Sequence, residues 1–132
     1  MDFRNIAIQK PELRALGERL GEGRIRALVF DFYARMSSDL MIGFFFDGKD
    51  LSEISNLQTS FVLRAMGITS SYVGRSPANA HSELPPILSG HFDRRLQLLD
   101  AALTHGGLSP EEREVWIGFE NAFRSAIVQP NA

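Results

Sequence analysis

Apolar residues recur at every third or fourth position through most of the chain, which is the period of an amphipathic helix. Four such runs occupy about residues 24–37, 50–67, 92–105 and 110–127, and a shorter one follows Pro11. No segment shows the strict alternation of a half-buried strand, and no internal repeat is present. The pattern therefore predicts an all-α protein.

The residues between these runs are typical of helix ends. Proline suits the first turn of a helix, aspartate or serine with glutamate three positions later forms a capping box, and glycine suits the residue after the last turn. The predicted starts are Pro11, Asp50 and Ser109, and the predicted ends are Gly21, Gly67 and Gly106-Gly107.

Two polar residues interrupt the apolar stripes. Tyr33 lies on the apolar face of the run 24–37, and Gln58 lies in the middle of the face of the run 50–67. An unpaired amide in a protein core costs about 1–3 kcal/mol. Gln58 therefore either bonds another core polar group, such as Tyr33, or faces a ligand.

Three consecutive phenylalanines, Phe44, Phe45 and Phe46, follow the first long run. Adjacent side chains in a turn point in different directions, so all three cannot face one core. At least one is expected to contact solvent or another group.

The segment from Tyr72 to Phe92 has neither helical nor strand periodicity. Long irregular segments inside a domain are usually functional or disordered. His81 and His91 lie in it, but with His105 they lack the compact spacing of a multi-ligand metal site. A single histidine could still serve as the axial ligand of a cofactor that supplies its other ligands, of which haem is the usual example. The alternative is a hydrogen-bonded loop histidine.

Length, composition and net charge exclude several classes of function. The 132 residues predict one domain, 1–132, with residues 1–10 as an N-terminal extension. A net charge of −2 gives no electrostatic reason to expect nucleic acid or an anionic membrane, and the absence of cysteine excludes disulfides and thiolate chemistry. No apolar run is long enough for a membrane span, and no signal peptide precedes the first helix. A cytoplasmic location is expected by default.

Several segments together resemble the truncated (two-over-two) haemoglobins, most closely the distal pattern of their first group. They read IRALVFDFYARM, FFFDG, LQTSFVLRAMG, YVGRSPANAH and HFDRRLQLLDAAL, and they cover about residues 24–105. The resemblance implies a globin-like, two-over-two helical sandwich that binds haem b.

The resemblance also assigns roles to residues. His81 matches the proximal histidine that ligates the haem iron, and Tyr33 and Gln58 match the distal pair that hydrogen-bonds bound dioxygen. Ile54 would be a steric wall, and Phe46 would wedge the haem. Candidates for pocket lining are Phe32, Phe45, Phe61 and Val62, and candidates for contact with the haem propionates are Tyr72 and Arg75. Each apolar candidate could equally be a plain core residue, and Tyr33 could itself ligate ferric iron.

Arg95 departs from the family pattern. It falls where relatives carry tryptophan or an aliphatic residue facing the haem. A charge at the flank of a buried stripe is costly unless it reaches a propionate or solvent.

The function that the resemblance implies is reversible binding of dioxygen, nitric oxide or carbon monoxide. With Tyr33 and Gln58 stabilising dioxygen, the chain could convert nitric oxide to nitrate. A separate reductase would be needed, because the sequence has no flavin or nicotinamide motif. The alternatives are a gas sensor or storage protein, and a haem-free globin-like interaction module.

Overall fold

Helices and turns form the part of the chain that the computed structural model describes, which is residues 10–68 and 86–128. No strand occurs in these two ranges, so the predicted all-α class is confirmed there. The elements are α1 (Pro11–Leu20), α2 (Glu22–Ser37), a 3₁₀ helix (Gly43–Phe46), α3 (Leu51–Ala65), α4 (Ser89–His105), α5 (Pro110–Asn121) and α6 (Arg124–Ile127).

Local side chains fix where helices begin. The Asp50 carboxylate accepts a hydrogen bond from the Glu53 N–H at 3.2 Å and caps α3. Ser109 and Glu112 form the complete reciprocal capping box of α5, with bonds of 3.2 and 2.9 Å. The prediction of one helix over residues 110–127 was wrong in detail, because the chain leaves α5 after Asn121 and resumes as the short α6.

Two helices end as the glycines predict. In α4, Gly107 has φ +86°, its N–H donates to the Thr104 carbonyl at 3.0 Å, and the Leu108 N–H donates to the Leu103 carbonyl at 3.1 Å. These two bonds form a Schellman motif, which needs a left-handed residue at its centre. Gly67, with φ +78°, ends α3 through the same pair of bonds.

The helices pack as two pairs. α2 packs against α3, α4 packs against α5, and α2 also crosses α4, which brings the pairs together. α1 covers α2, α3 and α5. The largest fully buried side chains, which form the centre of this core, are Trp116, Phe32, Phe92, Leu13, Ile25 and Met36. Among the described residues, no helix is long and apolar enough to cross a membrane.

Asp39 ties the turn after α2 to α4. Its side chain is 7% exposed, and its Oδ2 accepts from the N–H groups of Met41 and Ile42 at 3.0 and 3.2 Å. Its Oδ1 accepts from Nε and Nη2 of Arg94 at 3.0 and 2.7 Å. The hydrogen bond from Arg94 holds the pKa of Asp39 below its usual value despite burial. This bond set anchors the turn that leads into the three phenylalanines.

The three phenylalanines point to different places, as predicted. Phe45 is buried, Phe46 is half-buried, and Phe44 is 46% exposed. One 3₁₀ turn thus supplies both a core residue and an exposed aromatic ring.

Replacing Gly107 by alanine is expected to lower the free energy of unfolding by about 1–2 kcal/mol, because an L side chain is strained at positive φ. Gly118→Ala is the matched control, since Gly118 lies inside α5 and an added Cβ would meet nothing within 4 Å. That change should raise the free energy of unfolding by about 0.4–1 kcal/mol through the unfolded state. Denaturant titrations that gave both variants the same sign would contradict the turn geometry.

Asp39→Asn is expected to lower stability at neutral pH, because an amide cannot form the ion pair with Arg94. The pKa of Asp39 is depressed in the folded state, so its contribution is full above about pH 4 and is lost as the pH falls through the lower, folded-state pKa. The gap between wild type and variant should therefore shrink in acid. Denaturant midpoints across that pH range measure this gap. Asp31→Asn is the control variant, because the ion pair of Asp31 with Arg35 is more exposed than that of Asp39. A gap that stays constant in acid would argue against the ion pair.

Candidate functional site

A cavity of about 340 Å³ opens between α2, the 3₁₀ helix, α3 and α4, with α6 at one side. This volume is in the range of small-molecule and cofactor sites. Much of its wall is apolar, formed by Met36, Ile42, Phe45, Phe46, Ile54 and Phe92. Polar side chains also line it, among them Tyr33, Gln58 and Arg95.

Tyr33 reaches the cavity from α2. Its side chain is 7% exposed, and its ring meets those of Phe46 and Phe32 edge-on, with centroid distances of 5.9 and 5.3 Å. Edge-to-face contacts of this kind favour one ring orientation. The packing therefore fixes the direction of the phenol.

The amide of Gln58 on α3 has a hydrogen-bond partner in the core, as an amide in an apolar stripe requires. Its Nε2 donates to Oε1 of Glu120 on α5 at 3.3 Å. Gln58 thus bonds a core polar group, as one of the two predicted alternatives requires, and the acceptor is Glu120. It also lines the cavity, and its contact with a ligand there stays a prediction.

Arg95 on α4 pairs with the same carboxylate. Its Nη1 donates to Oε2 of Glu120 at 2.8 Å, and the two side chains are only 16% and 6% exposed. The guanidinium also interacts electrostatically with Tyr33 and lies 4.9 Å from the centroid of the Phe32 ring. The expectation that Arg95 needs a propionate or solvent was wrong, because a buried carboxylate neutralises it.

The electrostatics of Arg95 reflect these neighbours. Burial alone would lower the pKa of its guanidinium. The charge of Glu120, the interaction with Tyr33 and the hydrogen bonds to both outweigh burial, so the pKa lies above its usual value. Arg95 is therefore a permanent cation beside the cavity.

Glu120 is the functional residue that sequence reasoning missed. Its Oε1 also accepts from the indole N–H of Trp116 at 3.4 Å, so one carboxylate takes donors from α3, α4 and its own helix. The available signal was its position, four residues after Trp116 and directly after Phe119 on the apolar face of α5. A carboxylate there must be paired.

The apolar candidates divide into two groups. Phe45, Phe46 and Ile54 line the cavity beside Tyr33 and Gln58. The other three lie in the core behind this wall: Phe32 beneath the Arg95 guanidinium, Phe61 stacked with Phe119, and Val62 fully buried. Their assignment as pocket residues stays a prediction.

His91 is the histidine that the structure places at the cavity. Its Nδ1 accepts a hydrogen bond from the Leu88 N–H at 3.0 Å, which caps α4. In the neutral ring the proton then resides on Nε2, so neither nitrogen offers a lone pair to a metal. Within residues 10–68 and 86–128, no group of three or more candidate metal ligands is found. The predicted ligand His81, with Tyr72 and Arg75, lies outside the described residues.

Charged residues surround the exposed part of the cavity. Lys49, Asp50 and Glu53 line it and are exposed. Lys49 could pair with a carboxylate on a bound molecule. The apolar wall thus fits the apolar body of a cofactor such as haem, Lys49 fits its acidic substituents, and Tyr33, Gln58 and Arg95 supply polar groups inside the cavity.

Comparison with known proteins agrees with this geometry. The family model described as bacterial-like globin matches residues 15–129. A group 1 truncated haemoglobin from Tetrahymena pyriformis is 28% identical over 103 residues, which cover 77% of this chain and 83% of the relative.

Solved structures share the fold. The crystal structure of the Tetrahymena pyriformis truncated haemoglobin in its Fe(III) form has a TM-score of 0.78 and 26% identity, and it covers 87% of this chain and 98% of that chain. The cyanomet 2/2 haemoglobin of a Synechococcus species, which has covalently attached haem, has a TM-score of 0.75 and 23% identity and covers 85% and 97%. These likenesses confirm the predicted two-over-two helical fold.

The family match extends over most of the chain, and the helix pairs surround a cavity whose volume is in the range of cofactor sites. The chain belongs to the bacterial-like globin family and has the fold of the truncated haemoglobins.

Proposed function

We propose that this chain binds haem and holds small diatomic ligands, dioxygen foremost, beside Tyr33 and Gln58. The observation that carries the proposal is the convergence of these two side chains, from different helices, on one cavity with apolar walls. Membership of a globin family supports a haem-binding role. When bound, haem supplies an iron centre that takes a diatomic ligand and exchanges electrons.

The residues of the chain would hold haem in three ways. Phe45, Phe46 and Ile54 would pack against its faces, which removes apolar surface from water. Lys49 would pair with a haem propionate near the opening of the cavity. His81 stays the predicted iron ligand, and the hydrogen bond from Leu88 to His91 Nδ1 argues against the neighbouring histidine for that role.

Tyr33 and Gln58 would act as donors to the ligand. Both are held before any ligand arrives, Tyr33 by the rings of Phe32 and Phe46 and Gln58 by Glu120. Donors already in place stabilise a ligand that acquires partial negative charge without a reorganisation cost. Such stabilisation slows release of dioxygen more than release of a less polar ligand.

A catalytic use of this pocket is conversion of nitric oxide to nitrate. Dioxygen and nitric oxide together supply the atoms of nitrate, and one electron is needed per turnover to balance the charge. A separate reductase would deliver that electron. Gas storage, sensing and a haem-free interaction role are the other readings, and the haem spectrum separates the last from the rest.

The first test is the visible spectrum of the purified protein after titration with haem and reduction. Wild type should take up one haem per chain with a sharp Soret band, and His81→Ala should shift or lose that band. His105→Ala is the matched control, because His105 lies at the exposed end of α4. No stoichiometric uptake by wild type would contradict the proposed function. Loss of the band in His91→Ala alone would contradict only the ligand assignment.

The second test is the rate of dioxygen release from the reduced, haem-loaded protein. Tyr33→Phe keeps the ring packing and removes the phenol donor, so release should be about 10–100-fold faster, as expected for loss of a hydrogen bond to a charged group. Release of carbon monoxide, which is less polar, should change little. Equal acceleration of both gases would indicate a general loosening of the pocket rather than loss of a donor.

A further inference from the structure

Arg95 is a cation at the cavity, and its partner carboxylate, Glu120, is buried outside the cavity lining. Arg95 lines the cavity together with Tyr33 and Gln58, whereas Glu120 is not among the described residues that line it. We propose that Arg95 is a third ligand-facing donor and makes the pocket selective for anionic ligands, of the class of small inorganic anions such as azide and fluoride. This inference rests on the proposed function, because haem would hold the ligand.

The ion pair has a direction. Nη1 of Arg95 contacts Oε2 of Glu120 at 2.8 Å, and Oε1 accepts from Trp116 and Gln58 at 3.4 and 3.3 Å. Both oxygens of the carboxylate are thus bonded within the protein, and of the two charged partners Arg95, not Glu120, lines the cavity. A fixed dipole of this orientation presents its positive end to a ligand.

The guanidinium is held in place independently of any ligand. It lies 4.9 Å from the ring centroid of Phe32 and 5.9 Å from that of Phe92, within the range of cation–π attraction. With 16% of its side chain exposed, it is screened little by solvent. An Arg side chain restrained in this way pays little entropy when it donates to a ligand.

Arg95 also acts through Tyr33. The two side chains interact electrostatically, and a neighbouring cation in a low dielectric makes a phenol O–H a stronger donor. Arg95 therefore strengthens the neighbouring donor as well as being one itself. Loss of the cation should weaken both contributions.

Among residues 10–68 and 86–128, the other charges that face the cavity do not replace Arg95. Lys49, Asp50 and Glu53 line it, but all three are exposed, so water and salt screen their effect on a ligand inside. These three charges are expected to affect the rate at which a ligand enters the cavity more than the affinity with which it binds. The affinity difference between anionic and neutral ligands should therefore follow Arg95.

The experiment uses the full chain loaded with haem. Ferric protein is titrated with azide and, separately, with fluoride, and reduced protein with carbon monoxide as the neutral probe, each followed by the Soret shift. Arg95→Met keeps an apolar stem of similar length and removes the charge. Its dissociation constants for azide and fluoride should rise about 10–100-fold, the effect of one hydrogen bond to a charged group, with carbon monoxide affinity changed less than about threefold.

The matched control is Arg26→Met. Arg26 carries the same charge but lies on the exposed side of α2, bonded to Glu22 and Asn56. It should bind all three probes as wild type does. An effect equal to that of Arg95→Met would show that net charge, not position, is responsible, and would overturn the proposal.

The outcomes separate this inference from the proposed function. No haem uptake by wild type removes the proposed function itself. Normal uptake with an unchanged ratio of azide to carbon monoxide affinity in Arg95→Met overturns the inference alone. If Arg95→Met does not take up haem, Glu120→Gln decides, because it removes the counter-charge and keeps a polar group of the same size. Azide must then bind more tightly than to wild type, and unchanged or weaker binding overturns the inference.

Discussion

The buried carboxylate of Glu120 is the constraint on which the pocket depends. It accepts hydrogen bonds from Gln58 on α3, Arg95 on α4 and Trp116 on α5, and Arg95 in turn interacts electrostatically with Tyr33 on α2. A buried charge without partners would be costly, so the four helices must meet in an arrangement that supplies all these donors. The same arrangement directs the polar side chains toward one end of an apolar cavity.

The ion pair between Arg95 and Glu120 matters for the orientation of the side chains around it rather than for the free energy of unfolding. Desolvation of two charges cancels much of their attraction, and apolar residues of similar volume often stabilise a core as well or better. What apolar residues cannot do is give the amide of Gln58 an acceptor and place a cation beside the cavity. Removal of either partner would leave the other charged and buried, which explains why the pair must be kept or replaced as a unit.

Much of the fold could be predicted from the sequence because the interactions that form its helices and turns are between residues close together in the chain. The helical period, the Asp50 and Ser109 caps and the Gly67 and Gly107 turns are properties of neighbouring residues, and the structure confirms each. Tyr33 and Gln58 also stood out locally, as polar residues in apolar stripes. The pairing of Arg95 with Glu120 could not be predicted, because the two lie 25 positions apart and meet only through the crossing of α4 and α5.

The difference between local sequence patterns and contacts between distant helices has a consequence for function. Apolar positions at helical spacing specify the fold and tolerate many side chains of similar volume, so distant relatives keep the same architecture. The chemistry of the cavity depends instead on a few polar groups whose partners come from other helices. Arg95 departs from the pattern that the sequence resemblance implies, yet the structure accommodates it by a partner, Glu120, that no local pattern indicates. Sequence rules are expected to fail at functional sites. A residue that breaks the expected pattern, is neutralised by a buried carboxylate and lines the cavity is therefore the place where the ligand preference of this globin would differ from that of its relatives.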